Sequence, residues 1–290
     1  MIKKEIIKFR YTTPDDELLS DSLRKEVNTS EFRNSPLSTV ALGDGVYLDL
    51  DKAPHVLIAG ATGNGKSAMM HNIIASLLVR NTTNTAQFMI IDPKMVEYEY
   101  FYKDLPLLYC PIVTDAETSG GFLELAISEM MKRYDIMRNN GMRKWDGKKL
   151  YIIIDEIADL IDTCGKQIEK HIAKLAREGR GAGVHLIVAT QHPTNDVLTR
   201  QITNNLDTRI CLRVNDKAAS RLVISANGAE LLEYPGDALL RHCGHLTPFH
   251  AAYLDDEHLK AYSHSWKKEE LSREIVIEPD PAIMKYAAQA

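Results

Sequence analysis

The stretch Val56-Leu57-Ile58-Ala59-Gly60-Ala61-Thr62-Gly63-Asn64-Gly65-Lys66-Ser67 decides the fold. Four apolar residues, short enough for one strand, run into a complete GxxxxGK[ST] loop, and helically spaced apolar residues follow over 68–79. Glycines let the backbone turn tightly and aim its N–H groups at phosphate oxygens, and the next helix adds its positive N-terminal end. Gly60, Ala61, Thr62, Gly63, Asn64, Gly65, Lys66 and Ser67 are the expected nucleotide-binding set. Within it Lys66 reaches the β- and γ-phosphates and the Ser67 hydroxyl ligates Mg²⁺. ATP and Mg²⁺ are the expected cofactors.

Outward from this loop, further short apolar runs occur at Phe88-Met89-Ile90-Ile91, Tyr151-Ile152-Ile153-Ile154, Leu186-Ile187-Val188-Ala189 and Ile210-Cys211-Leu212. They alternate with amphipathic stretches over 121–139 and 167–177, the former carrying Leu123, Ile127, Met130, Met131 and Tyr134 at helical spacing. Strands alternating with helices predict an α/β fold, a largely parallel sheet with helices on both faces. Residues 1–50 read as a small N-terminal lead-in, with a turn or helix start at Thr13-Pro14-Asp15-Asp16 and a short hairpin after Gly43-Asp44-Gly45. Residues 51–265 hold the main domain, ending in a helix over 218–224 and a C-terminal hairpin over 237–254. Residues 266–290, with Glu278-Pro279-Asp280-Pro281, read as a solvated tail or small helix.

The Tyr151–Ile154 run ends in Asp155-Glu156, two adjacent carboxylates where open α/β sheets bind ligands. Asp155 is expected to hold Mg²⁺ through water, and Glu156 to polarise the water that attacks the γ-phosphate. A helix N-cap followed by a solvated glutamate is the blander reading of this pair. Ala189-Thr190-Gln191 ends the next strand, making Gln191 the candidate sensor of the γ-phosphate. Arg209, in Thr208-Arg209-Ile210, is a candidate finger reaching a neighbour's γ-phosphate, with a surface ion pair as the alternative. Glu156, Gln191 and Arg209 thus form the expected catalytic set.

Composition narrows the class. A net charge of -5 excludes a protein coated in basic surface, so any nucleic-acid contact must be local. The start Met1-Ile2-Lys3-Lys4-Glu5 is too charged for a signal peptide, and no run of roughly 18 apolar residues occurs, which points to the cytoplasm and no membrane segment. Cys110, Cys164, Cys211 and Cys243 lie far apart with no CxxC pair, so reduced, mostly buried thiols are expected. His242, Cys243, His245 and His250 match no zinc spacing and read as a polar hairpin.

Taken together, these residues resemble the motor domain of the FtsK/SpoIIIE DNA translocases, within the class that includes HerA and conjugative coupling ATPases. The resemblance runs from Ser35-Pro36-Leu37 through Ile91-Asp92-Pro93-Lys94, Val113-Thr114-Asp115 and Asp155-Glu156-Ile157-Ala158-Asp159 to Ser220-Arg221, Gly228-Ala229-Glu230 and Gly236-Asp237. It covers about four fifths of the chain, far more than one motif. It implies a RecA-like P-loop NTPase, an ATP hydrolase that moves double-stranded DNA through a homo-oligomeric, hexameric ring. It also implies a trans-acting finger at Arg209 and DNA contacts from loops carrying Arg221 and Arg241, which would grip phosphates without reading sequence.

The family's membrane-spanning N-terminus and winged-helix domain have no counterpart in these residues, so a compact stand-alone translocase is expected. Two other functions fit the motifs. One is a conjugation-coupling or protein-secretion ATPase of the same superfamily; the other is a non-motor factor that uses ATP only to assemble on DNA.

Overall fold

The short apolar runs at 56–59, 88–91, 151–154, 186–189 and 210–212, rich in β-branched residues, each fall within a strand of the computed structural model. The structure describes residues 30–95, 97–257 and 259–260. The expected turn at Thr13-Pro14-Asp15-Asp16, the rest of the lead-in before residue 30 and the tail over 266–290 lie outside these residues.

Helix α1 (Ser30–Asn34) precedes an antiparallel hairpin of β1 (Thr39–Gly43) and β2 (Val46–Asp49), the short hairpin expected before residue 50. Then follow β3 (His55–Ala59), α2 (Lys66–Leu78), β4 (Ala86–Ile91), α3 (Tyr98–Tyr102), α4 (Ala116–Asn139) and β5 (Lys149–Ile154). Next come α5 (Ile157–Cys164), α6 (Lys166–Glu178), β6 (Val184–Thr190), α7 (Arg200–Thr203), β7 (Thr208–Leu212) and α8 (Lys217–Ile224). A final hairpin joins β8 (Asp237–His242) to β9 (His245–His250).

One seven-stranded sheet has the order β4-β5-β6-β3-β7-β8-β9. β4, β5, β6, β3 and β7 are parallel, and β8 and β9 are added antiparallel at one edge. The five parallel strands are the five expected from the apolar runs. Because side chains alternate across a strand, each run feeds two cores. Leu150, Ile152 and Ile154 of β5 join Leu186 and Val188 of β6 in a core with α4, α5, α6 and α8. Tyr151, Ile153 and Ile187 point to the other face, under α2, α3 and the β1-β2 hairpin. A strand buried on both faces must be apolar throughout, which is why these runs show no polar alternation.

Polar side chains settle several helix ends. Asp115 caps α4 by accepting from the amides of Glu117 and Thr118 at 3.2 and 3.1 Å. Asp216 caps α8 through the Ala219 amide at 2.8 Å. Within α4, Met130 is fully buried but Met131 is 43% exposed, since the next residue is turned about 100° round the helix. Its expected place on the core stripe is therefore not met. The thiols are free, with Cys110 and Cys211 buried and Cys243 exposed at the β8-β9 turn. Among the described residues no helix is long and apolar enough to cross a membrane.

Candidate nucleotide-hydrolysis site

The Gly60–Ser67 loop leaves β3 at the centre of the sheet and is tied to both neighbouring strands. Gly60 N donates to Thr190 O at the end of β6 (3.2 Å), and Ala61 N donates to Arg213 O just past β7 (2.9 Å). Gly63 and Gly65 take φ of 81° and 92°, the left-handed region that disfavours other residues. Gly65 also lies against Gly236: a Cβ there would sit 3.2 Å from the Gly236 amide, which itself donates to Asn64 O at 3.2 Å. The segment before β8 thereby braces the loop, a long-range contact with no local sequence signal. No side chain caps α2, so an anion at its first turn has backbone amides to bind.

The register of the sheet brings the other expected residues to this edge. Ala59 pairs with Thr190, and Ile154 pairs with Val188, so Asp155, Glu156 and Gln191 emerge level with the loop. Lys66 Nζ donates to Asp155 Oδ1 at 2.7 Å and to Asp155 O at 2.8 Å, with both residues 4% exposed. Thr62 Oγ1 donates to Gln191 Oε1 at 2.7 Å, joining the phosphate loop to the candidate sensor.

Glu156 is fully buried. Its Oε2 accepts from the Gln191 amide at 2.9 Å, and its Oε1 caps α5 through the Ala158 amide at 3.4 Å. The solvated glutamate of the blander reading is not found: Glu156 is itself the buried N-cap of α5, and it stands beside the end of β6.

Sequence reasoning quoted Asp92 and Lys94 only as part of the resemblance and passed over Glu97 and Tyr98. Lys94 Nζ lies 3.6 Å from Glu156 Oε2 and 3.8 Å from Asp159 Oδ2. The Tyr98 hydroxyl donates to Asp155 Oδ1 at 3.0 Å. Burial, with Asp155 and Glu97 nearby, pushes the Tyr98 phenol far above its ordinary range, so it stays a donor. Burial also raises the Glu97 carboxyl, against a hydrogen bond from Ser67 that draws it down. The only available signal was an acid and an aromatic a few residues past a strand end, too common to single out.

Ser67 and Asp155 offer oxygen donors only, which suits a hard cation held mainly by phosphates and water. Among the described residues no group of three or more His, Cys, Asp or Glu could form a cage of its own. These donors fit Mg²⁺. His242, Cys243, His245 and His250 are likewise not gathered into a metal site: His250 Nδ1 pairs with Asp237 Oδ1 at 2.9 Å, and Thr208 Oγ1 bonds His242 Nδ1 at 2.9 Å.

Arg209 is placed otherwise than a free finger requires. It is 7% exposed, and its guanidinium donates to Leu206 O (2.7 Å), Val223 O (2.9 Å) and Thr203 O (2.5 Å). A buried cation is tolerated when it is hydrogen-bonded, and each of its three nitrogens donates to one of these carbonyls. Arg209 therefore clamps α7 and the end of α8 onto β7, and it pairs in register with Leu57, about 10 Å along the strand from the loop. Arg241 lies opposite Arg209 and 3.5 Å from Asp207, so it is ion-paired rather than free. Arg221 is exposed on α8, its Nε donating to Asn227 Oδ1 at 2.8 Å.

The FtsK/SpoIIIE family model matches residues 22–152 and 146–195. The DNA translocase FtsK of Campylobacter jejuni is 42% identical over 246 residues, 78% of this chain and 26% of that protein. The DNA translocase SftA of Bacillus subtilis is 40% identical over 243 residues, 77% of this chain and 25% of that protein. The chain thus spans about a quarter of the length of these relatives. A solved structure, the conjugation coupling protein TcpA of plasmid pCW3 with ATPγS, superposes with a TM-score of 0.72 at 26% identity, covering 83% of this chain and 73% of that one. With a phosphate loop, an acidic strand end and the Gln191 strand end at one sheet edge, and a family model covering most of its length, this chain belongs to the FtsK/SpoIIIE family of P-loop ATPases.

Proposed function

We propose that the chain is the ATP-hydrolysing motor domain of a double-stranded DNA translocase that works as a homo-oligomeric ring. The observation that carries the hydrolytic part is the joining of Lys66, Asp155, Glu156, Thr62 and Gln191, drawn from three strands, into hydrogen-bonded contacts at one sheet edge. DNA as the track is supported by the names of the relatives.

Lys66 exchanges Asp155 for the β- and γ-phosphates when a triphosphate enters, which leaves the Asp155 carboxylate with its remaining donors. Ser67 and Asp155 would hold Mg²⁺, which would supply positive charge to screen the phosphates and make the γ-phosphorus more electrophilic. Gln191 orients the attacking water, and its link to Thr62 makes its position sensitive to what occupies the loop. Glu156 accepts the proton of that water once its carboxylate turns from the Gln191 amide.

In a ring, a few cations per subunit suffice to hold phosphates, so Arg221, and Arg241 after release from Asp207, need not make the monomer basic. A trans role for Arg209 would require exchange of three carbonyl partners; its contacts support an intramolecular clamp. The test is the rate of ATP hydrolysis with and without linear duplex DNA. Several-fold stimulation is expected, whereas hydrolysis indifferent to DNA would favour a polypeptide-moving or coupling ATPase.

A further inference from the structure

Between β4 and α3, residues outside the phosphate loop address both carboxylates at the end of β5. Asp92, 1% exposed, accepts from the amides of Glu97 and Tyr98 at 3.4 and 3.2 Å, which fixes where α3 begins. From that anchored start the fully buried Tyr98 places its hydroxyl 3.0 Å from Asp155 Oδ1, the oxygen that also holds Lys66. Two residues after Asp92, the partly exposed Lys94 stands almost equidistant from Glu156 and Asp159, at 3.6 and 3.8 Å.

Packing alone does not account for these contacts. The Tyr98 ring lies 5.1 Å from His71 and 6.3 Å from Tyr102, contacts that a phenylalanine would make as well. What the hydroxyl adds is a directed donor on a buried carboxylate, and such charge-assisted hydrogen bonds are the strong ones. Lys94 is an exposed-side cation facing a fully buried acid, a placement that surface solubility does not require.

We propose that Tyr98 and Lys94 are positioning residues for hydrolysis, Tyr98 orienting Asp155 and Lys94 orienting Glu156, with Asp92 anchoring the start of the helix that carries Tyr98. When Lys66 turns to the phosphates, Tyr98 keeps one donor on Asp155 Oδ1, so the carboxylate keeps its orientation after the lysine has left. When Glu156 turns to the water, Lys94 passes to Asp159, whose carboxylate is already within reach. The proposal rests on the ATPase reading but not on the identity of the track.

The experiment uses the whole chain and two readouts: binding of a fluorescent ADP analogue in Mg²⁺ and in EDTA, and steady-state ATP hydrolysis. Tyr98→Phe is expected to weaken nucleotide binding about ten-fold in Mg²⁺ while leaving it unchanged in EDTA. Lys94→Ala is expected to lower kcat about ten-fold at constant KM, and Lys94→Arg to restore most of it. Wild-type binding by Tyr98→Phe in Mg²⁺, or an equal loss in EDTA, overturns the role of Tyr98. An unchanged kcat in Lys94→Ala overturns that of Lys94, and this variant reports even if Tyr98→Phe does not fold. Failure of the unaltered protein to bind nucleotide would instead overturn the ATPase reading.

Discussion

At the scale of single residues, Glu156 and Arg209 show how one side chain can satisfy two demands or be diverted to one. Glu156 caps α5 through one oxygen and meets the Gln191 amide through the other; glutamine keeps the size but only one acceptor oxygen, so it can hold the 2.9 Å Gln191 contact, gives up the weaker 3.4 Å cap and removes the proposed base. Glu156→Gln is therefore expected to fold and bind ATP while turnover falls by about 10²–10⁴. Single-turnover hydrolysis beside equilibrium binding checks this, and near-normal turnover would exclude Glu156 as the base. Arg209→Ala strands three buried carbonyls, and we expect it to cost about 3 kcal/mol or more in urea unfolding. Mixing it with Lys66→Ala subunits should restore no ATPase activity. Recovery in the mixture would show that the guanidinium leaves its clamp to act in trans. The type of residue at 209 was legible in the sequence, but not its direction: a strand-borne arginine points to either face, and its partners lie 3 to 14 positions away on two other elements.

At the scale of elements, the long apolar runs were readable because burial on both faces leaves them no polar alternation, and all five became parallel strands. Helix α4 was read from residue 121 but starts at Ala116, because Ser119, Gly120 and Gly121 mimic a loop. The Asp115 cap and burial against α6 override that propensity. At Gly120 an added Cβ would meet only Ile168 Cδ1, at 3.9 Å, an ordinary contact. Gly120→Ala should thus stabilise the protein by about 0.5–1 kcal/mol, read as a raised Tm, and a lowered Tm would mean that α4 and α6 lack that space. Helices α1, α3 and α7 have four or five residues, too few for an apolar stripe to repeat, and they escaped sequence reading for that reason.

At the scale of the molecule, three buried histidines tie stability to pH. Burial lowers His55 to about 3 and His71 and His185 to about 4, from an ordinary 6.5. Between pH 6.5 and about 4 the unfolded chain therefore binds more protons than the folded one, and stability must fall as pH falls through that window. Each histidine contributes about 1.4 kcal/mol per pH unit there. Urea unfolding at pH 7, 6 and 5 should show the decline, and an unchanged midpoint would mean these rings are solvated or charged in the fold. What the sequence alone determined is the expected chemistry of the phosphate loop and the order of the five parallel strands with the longer helices between them, because glycine spacing, a lysine and apolar runs act through neighbours along the chain. Only the tertiary structure decided that Glu156 touches the Gln191 strand, that Tyr98 and Lys94 face the two carboxylates, and that Arg209 turns inward. Those contacts join residues from separate strands, loops and helices, and sheet register and helix placement, which bring them together, follow from packing the whole core rather than from any local pattern.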